Sequence, residues 1–571
     1  MGLVQKAGIE EITRRATRTS LTASVLPDDI ADAVNRGLAA AASGNVSETV
    51  TSSQEVISSG IAKASEIGGA LSGRLFGMVR PKPHEKPAPP PEPTPAPIPE
   101  AAKPTPPPAT HPAPAGATAA DPEPNGFPSE SYQRAPTFFL QAKGCGVEHA
   151  YEMISSELLL DGSARLNLAT FVTTSMPPLA ARLMAETADK NMIDKDEYPQ
   201  TAEMEARCVN IISNLWNSPS GEYAMGCSTT GSSEAVMLGG LAMKWRWREK
   251  MRALGKPTDK PNLVTGANVQ VCWDKFMRYW DVEERLVPLE GNKLHLTADR
   301  LWDFCDENTI GVAAVLGSTF DGSYEPITEI AAALDEIQEK KGWDIPLHID
   351  AASGGFVAPF IQPDLVWDFR IPRVVSINAS GHKYGLVYPG VGWAIWRSPE
   401  FLPKDLIFEV NYLGGQMPTF SLNFSRPGSE VVAQYFMFTS LGFEGYRRVQ
   451  QQSSDIAQYL SAEIEKIGPY ELVSRGDELP VFAFKLKNSV KNYTVFDVSD
   501  RLRERGWQVP AYTYPANRTD LAVLRVVVRA GMTHDMADLL LADLRKHTAR
   551  LESLSGPMPE SLESGDQIFA H

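Results

Sequence analysis

Apolar positions along the chain fall into two textures that meet near residue 132. Up to residue 79 the sequence is rich in Ala, Ser, Gly and Thr, with loosely helical stretches at 28–42 and 53–74 and few large apolar side chains. Such a composition predicts a weakly helical or disordered extension rather than a core. Residues 80–131 are dominated by Pro and Ala, as in PKPHEKPAPPPEPTPAPIPE. Missing amide donors and fixed φ angles favour extended polyproline II there, a semi-rigid linker. From 132 onward short apolar runs alternate with amphipathic ones. Runs at 262–265, 311–316, 347–349, 374–377 and 392–396 read as buried strands, with helices at 233–252 and 327–341 between them. That alternation predicts an α/β fold built on a mostly parallel sheet covered by helices. A helix at 429–467, strands at 481–486 and 523–528, an amphipathic segment at 495–505 and a helix at 533–554 predict a smaller C-terminal α+β domain. The expected division is an N-terminal segment of the folded unit at 132–190, a large domain at 191–425, a small domain at 426–556 and a polar tail at 557–571.

Charge and cysteine content narrow the function classes. The formal net charge of the 571 residues is −16, and no basic stripe with interleaved aromatics runs along the sequence, so nucleic acid is not expected as a partner. The five cysteines, Cys145, Cys208, Cys227, Cys272 and Cys305, form no cluster at zinc-ligand spacing; they read as reduced thiols, and no metal is expected. No secretory h-region and no apolar run of membrane-spanning length is found, so the expected location is the cytoplasm, with no membrane partner.

Two segments carry the chemistry. In HIDAASGG, 348–355, an acidic residue, Asp350, follows a short apolar strand, and ligands of open α/β sheets sit at the carboxyl ends of strands. In SINASGHKYG, 376–385, a second strand runs into a small-residue loop carrying Ser380, His382 and Lys383. A lysine presented there can form a Schiff base with a carbonyl. Pyridoxal 5′-phosphate (PLP) needs such a lysine together with an anion for its ring nitrogen, because a protonated ring is the better electron sink. Asp350 and Lys383 supply both. A phosphate needs donors, and Gly231, Ser232 and Ser233 open the 233–252 helix, where amides, hydroxyls and the helix dipole converge; simple N-capping is the alternative role for these serines. His382 is either a cofactor contact or a satisfied structural histidine.

From about 135 to 554 the sequence resembles the glutamate decarboxylases, PLP-dependent group II decarboxylases of the type I, aspartate aminotransferase-like fold. The resemblance runs through ARLNLATF, NMIDKDEYPQ, GSSEAVMLGG, AMKWRWR, DKPNLV, HIDAASGGF, ASGHKYG, YLGGQ, NFSRPG and GWQVPAYT. It implies that Lys383 carries the cofactor, Asp350 pairs with the pyridine nitrogen, Ala352 packs on one ring face and Gln270 covers the other. It further implies phosphate contacts from Ser232, Ser233, Ser380 and His382, with Thr319 near the phenolic oxygen. For L-glutamate it implies Thr170, Phe171, Asn191 and Asp194 around the distal carboxylate and Arg525 on the α-carboxylate, a role suited to the bidentate guanidinium fork. Phe424 and Ser425 would reach a neighbouring subunit's site in a homodimer or higher homo-oligomer. Tyr412, in NYLGGQ, would protonate the product carbon, with a core aromatic as its alternative role. An arginine inside the apolar 523–528 run predicts a buried anionic partner for Arg525. Two carboxylates meeting at Asp194 must share a proton, which predicts activity favoured by acid, and a proton-consuming reaction giving 4-aminobutyrate (GABA) suits a role in acid resistance.

The resemblance also thins in places. The chain ends Phe569, Ala570, His571, close to the terminal Phe-x-His that plugs the site in acid-responsive relatives, so His571 is an expected regulatory residue. Asp274 follows a Cys-Trp pair where relatives vary, and no role is assigned to it. The N-terminal extension, residues 1–79, does not resemble the short helical segment those enzymes use for oligomer contacts, and is an expected docking region for a protein partner. The alternatives are a PLP decarboxylase or lyase for another amino acid, and a scaffold with an idle PLP fold. The retained Lys383 and Asp350 oppose the second.

Overall fold

The computed structural model describes residues 138–140, 142, 144–221, 224–411, 417–554 and 556. Tyr412, the N-terminal extension, the linker and the polar tail with His571 therefore lie outside the described residues. The elements begin with helices α1 (Val147–Leu158), α2 (Pro178–Glu186) and α3 (Pro199–Leu215). A seven-stranded sheet follows: β1 (Met225–Thr229), β2 (Asn262–Gly266), β3 (Glu283–Val287), β4 (Thr309–Val315), β5 (Leu347–Asp350), β6 (Val374–Ala379) and β7 (Gly392–Trp396), in the order β1-β7-β6-β5-β4-β2-β3. Only β7 runs against its neighbours, pairing antiparallel with both β1 and β6. The main helices woven between the strands are α4 (Ser232–Ala253), α5 (Val271–Tyr279) and α6 (Ile327–Lys341).

The central strands are buried on both faces, so β4 is apolar or small along its buried length, while the edge strand β3 begins exposed. Along β4, Val312 and Ala314 join the core that contains α3 and α6, while Ala313 and Val315 join the core of α4 and α5. Helix α6 buries Ile327, Ile330, Ala331, Leu334 and Ile337, one face at helical spacing. Gly342 ends it in the left-handed region at φ 74°, donating its N–H to the Gln338 carbonyl at 2.8 Å.

Two short paired strands, β8 (Phe408–Val410) and β9 (Met417–Thr419), lead to a long helix, α7 (Ser429–Glu465). The uninterrupted helix expected over 429–467 is instead two helices joined at Gly442, whose φ of 58° and ψ of −174° break the helical path. A second, antiparallel sheet in the order β10-β11-β13-β12 combines β10 (Tyr470–Leu472), β11 (Val481–Leu486), β12 (Ala511–Thr513) and β13 (Ala522–Val527). Its core takes in α8 (Val495–Arg503) and α9 (His534–Glu552). A capping box between Thr494 and Asp497 starts α8. The architecture is the expected one, a large mostly parallel α/β sheet with a small C-terminal α+β domain.

Candidate active site

Strands β5 and β6 set the site by register. His348 pairs with Ser376 and Asp350 with Asn378 across the ladder, while Leu347 and Ile349 turn to the opposite, apolar core. Four polar side chains thus share one face. His348 is buried, its Nδ1 is 2.7 Å from Ser376 Oγ and its Nε2 is 2.7 Å from Asn378 Oδ1. Asn378 Nδ2 donates to Asp350 Oδ1 at 2.9 Å and to Ser232 Oγ at 3.1 Å, so its Oδ1 is the acceptor and the His348 proton sits on Nε2. Burial holds His348 below the ordinary imidazole value, in keeping with a neutral ring.

Asp350 also accepts from Trp273 Nε1 at 2.9 Å and from the Ala352 amide at 3.1 Å. Its charge is therefore met by three neutral donors, and the carboxylate lines a cavity of about 310 Å³. Lys383 lines the same cavity, with Nζ 3.4 Å from Ser353 Oγ and 5.1 Å from the centre of the Phe171 ring. Burial lowers the Lys383 pKa, with Asp350 opposing and Arg525 adding to the shift, so a larger share of its amine is neutral than at an exposed lysine. The loop is pinned from outside: Thr173 donates its amide to the His382 carbonyl at 2.7 Å and its hydroxyl to the Lys383 carbonyl at 2.6 Å.

At the other end of the cavity α4 begins. Its first amides precede the first intrahelical bond, from Ala235 N–H to the Gly231 carbonyl at 3.2 Å, and are free to meet an anion. Ser232 Oγ accepts from Ser380 Oγ at 2.9 Å, and Ser233, Ser380 and His382 line the cavity beside it. His382 Nδ1 is buried without a hydrogen-bond partner among the described residues. Burial and then the neighbouring Lys383 depress its pKa to about 4, so the ring is neutral near pH 7. Gln270 lines the cavity as the N-cap of α5, its Oε1 accepting from the Cys272 amide at 2.6 Å, and Thr319 and Ala352 line it as well. An amine, an anion, a helix N-terminus with hydroxyls and an orphaned ring nitrogen fit the aldehyde, pyridine and phosphate groups of PLP.

Residues 161–487 match the family described as the pyridoxal-dependent decarboxylase conserved domain. The chain is 59% identical over 399 residues to a glutamate decarboxylase of Aliivibrio fischeri, covering 70% of this chain and 86% of the relative. It is 49% identical over 426 residues to one of Solanum lycopersicum, covering 74% of this chain and 85% of the relative. The chain belongs to the glutamate decarboxylases. Among solved structures, Lactobacillus brevis glutamate decarboxylase superposes with a TM-score of 0.73 at 45% identity, over 75% of this chain and 98% of that one. A sphingosine-1-phosphate lyase of Burkholderia pseudomallei, at 22% identity and TM-score 0.62, shares the fold over 74% of this chain and 97% of its own.

Within this glutamate decarboxylase, the residues expected around the substrate fall into two groups. Phe171 lies between the cations of Lys383 and Arg525, the latter 4.9 Å from the ring centre, and Thr170 precedes it with Oγ1 accepting from the Val172 amide at 3.1 Å. Arg525, on β13, is 8% exposed and donates to the carbonyls of Thr319 and Ala169. The buried anionic partner expected for it is not found among the described residues, where no carboxylate forms an ion pair with Arg525. None of Thr170, Phe171, Arg525, Asn191, Asp194, Phe424 and Ser425 lines the cofactor cavity, although Phe171 stands 5.1 Å from Lys383 Nζ. Asn191 donates Nδ2 to Ser425 Oγ at 3.2 Å and accepts the Arg426 amide at 3.1 Å, and the Asp194 amide donates to the Asn191 carbonyl at 3.1 Å, so Asn191, Asp194 and Ser425 are joined. Asp274, on α5, does not line the cavity either, and burial raises its pKa.

Trp273, His348, Asn378, Ser353 and Thr173 were not singled out from sequence, although LHID and SINA show the signal, polar residues at every second position of strands otherwise apolar. Cys272, one of five free thiols, lines the cavity, and burial raises its pKa far above the usual thiol range.

Proposed function

We propose that the chain releases the α-carboxylate of L-glutamate as CO2 and yields 4-aminobutyrate, using PLP held on Lys383. The observation that carries this reading is the pairing of Asp350 and Lys383 in one cavity, the first held by Trp273, Asn378 and the Ala352 amide, the second by Ser353. Bound there, PLP supplies an electron sink for the pair left when the carboxylate departs. Asp350 keeps a ring proton in place by charge, and Lys383 presents its amine to the carbonyl carbon. Ser232, Ser233, Ser380, His382 and the α4 amides take the phosphate, Gln270 and Ala352 cover the ring faces, and Thr319 meets the phenolic oxygen. Arg525, with no carboxylate ion-paired to it among the described residues, takes the α-carboxylate of the substrate. Tyr412 returns a proton to the α-carbon.

Thr170, Phe171, Asn191 and Asp194 bind the distal carboxylate. Since Asn191 is bonded to Ser425, a Ser425 presented to a neighbouring subunit carries Asn191 and Asp194 with it; this supports a homo-oligomer whose sites are completed across an interface. The exposed stripe of Val147, Tyr151, Ile154 and Leu158 along α1 is further apolar surface suited to assembly. A shared proton at Asp194 makes acid favourable, and His571 closes the site near neutral pH. Free cysteines, and no helix among the described residues long and apolar enough to cross a membrane, accord with a cytoplasmic setting.

The test is CO2 release from L-glutamate, L-aspartate and L-tyrosine at acidic and neutral pH. Glutamate is expected to be preferred, with kcat/KM rising towards acid. Preference for aspartate or tyrosine would overturn the substrate, and a profile flat or rising towards alkaline pH would overturn the shared proton.

A further inference from the structure

Three arginines among the described residues are buried, and each raises the question of what balances its charge. Arg426 lies 3.7 Å from Glu205. Arg525 faces Phe171 and is given above to the substrate carboxylate. Arg529, 8% exposed, has no such account: no carboxylate among the described residues pairs with it, and Nε is buried without a partner. Its Nη1 donates to the Val172 carbonyl and to Thr174 Oγ1, each at 2.8 Å, and its Nη2 donates to the Asn167 carbonyl. Burial lowers its pKa, the mark of a cation short of compensation.

Arg529 lines a cavity of about 300 Å³ that shares no residue with the cofactor cavity. The lining brings a second guanidinium, Arg165, together with Thr174, Ser175 and the 527–532 turn, and none of its residues is acidic. Arg165 is exposed, and its Nη2 donates to Met536 Sδ at 3.5 Å. Two cations beside hydroxyl groups suit an anion of matching charge. The missing acid argues against an amino acid, whose ammonium group would find no partner.

We infer that the Arg529–Arg165 cavity is a binding site for a small dianionic oxyanion of the inorganic phosphate type. The ligand sits against Arg529 at the floor and Arg165 at the rim. Its seat is mechanically joined to the cofactor loop, because the segment that Arg529 holds, 167–174, contains Thr170 and Phe171 and is bonded through Thr173 to the backbone of His382 and Lys383.

The experiment uses the full-length holoenzyme, with visible absorbance confirming that the cofactor stays bound. Thermal unfolding is followed against inorganic phosphate, with sodium chloride at matched ionic strength as the control. Phosphate at about ten times its Kd is expected to raise the unfolding temperature by about 1–2 °C. Arg165→Ala, at an exposed position that leaves the Arg529 brace intact, is expected to weaken the apparent affinity roughly tenfold. No phosphate-dependent shift, an equal shift with chloride, or an Arg165→Ala response matching the wild type would each overturn the site.

Discussion

Asp350 is held by three N–H donors and lines the cofactor cavity, so its chemistry as an acceptor is fixed before any ligand arrives. Asp350→Asn would turn an amide nitrogen towards one of those donors and remove the charge that balances a ring proton. We expect a fall in kcat/KM of about 100-fold or more, with a stability loss of about 1–3 kcal/mol. Activity within tenfold of wild type would contradict the role. His382 gives a prediction with a definite sign. Its folded pKa of about 4 lies below the unfolded value near 6.5, so between those limits the unfolded chain binds a proton that the folded chain does not. Its stabilising contribution is therefore present above about pH 6.5 and lost as pH falls towards 4, on the order of 3 kcal/mol across the window. In denaturant titrations of the apoenzyme, His382→Gln should flatten the decline; an unchanged slope would contradict the depressed pKa. Lys383 and Asp350 stood out in the sequence because each follows a recognisable strand. Trp273, which donates to Asp350 from 77 positions upstream, did not, because a tryptophan on an amphipathic helix looks like core until the strand beneath it is known.

At the scale of elements, α4 explains two glycines that helix propensity disfavours by about 1 kcal/mol each. A Cβ on Gly239 would lie 2.6 Å from His348 Cε1, and one on Gly240 would lie 2.5 Å from the Phe276 ring. The helix must run close over His348 of β5 for Asn378, to which His348 is bonded, to reach Ser232, which opens the same helix. Gly239→Ala should therefore lose stability, by about 1–3 kcal/mol, despite its better helix propensity, and should loosen cofactor binding. An unfolding temperature equal to or above wild type would show that the helix does not need that approach. The strand at 392–396, the helix at 327–341 and the strand at 481–486 coincide with their sequence-based bounds, since buried apolar runs flanked by turn residues leave little choice. Strand β3, Glu283–Val287, was missed because it is an edge strand whose first residues are exposed and charged. The break in α7 was missed because one glycine in a long amphipathic run does not announce a positive φ.

Across the whole molecule, the large sheet supplies the lysine, the carboxylate and the helix N-terminus, while the small domain supplies Arg525 from β13. In the Arg525 strand, Leu524, Val526 and Val528 enter the small-domain core, leaving the arginine to face Phe171. The sequence carried this division of labour in its motifs, but not the separation of Asn191, Asp194 and Ser425 from the cofactor cavity, which depends on how distant segments meet. The central claim is that Lys383, opposite Asp350, holds PLP for the decarboxylation of glutamate. The most direct measurement compares purified wild type and Lys383→Ala, each incubated with PLP, by visible absorbance and by CO2 release from L-glutamate. We predict a bound-cofactor band and glutamate-dependent CO2 release in the wild type, and loss of both in the variant. A wild-type protein that takes up no PLP, or a variant that keeps both signals, would contradict the account.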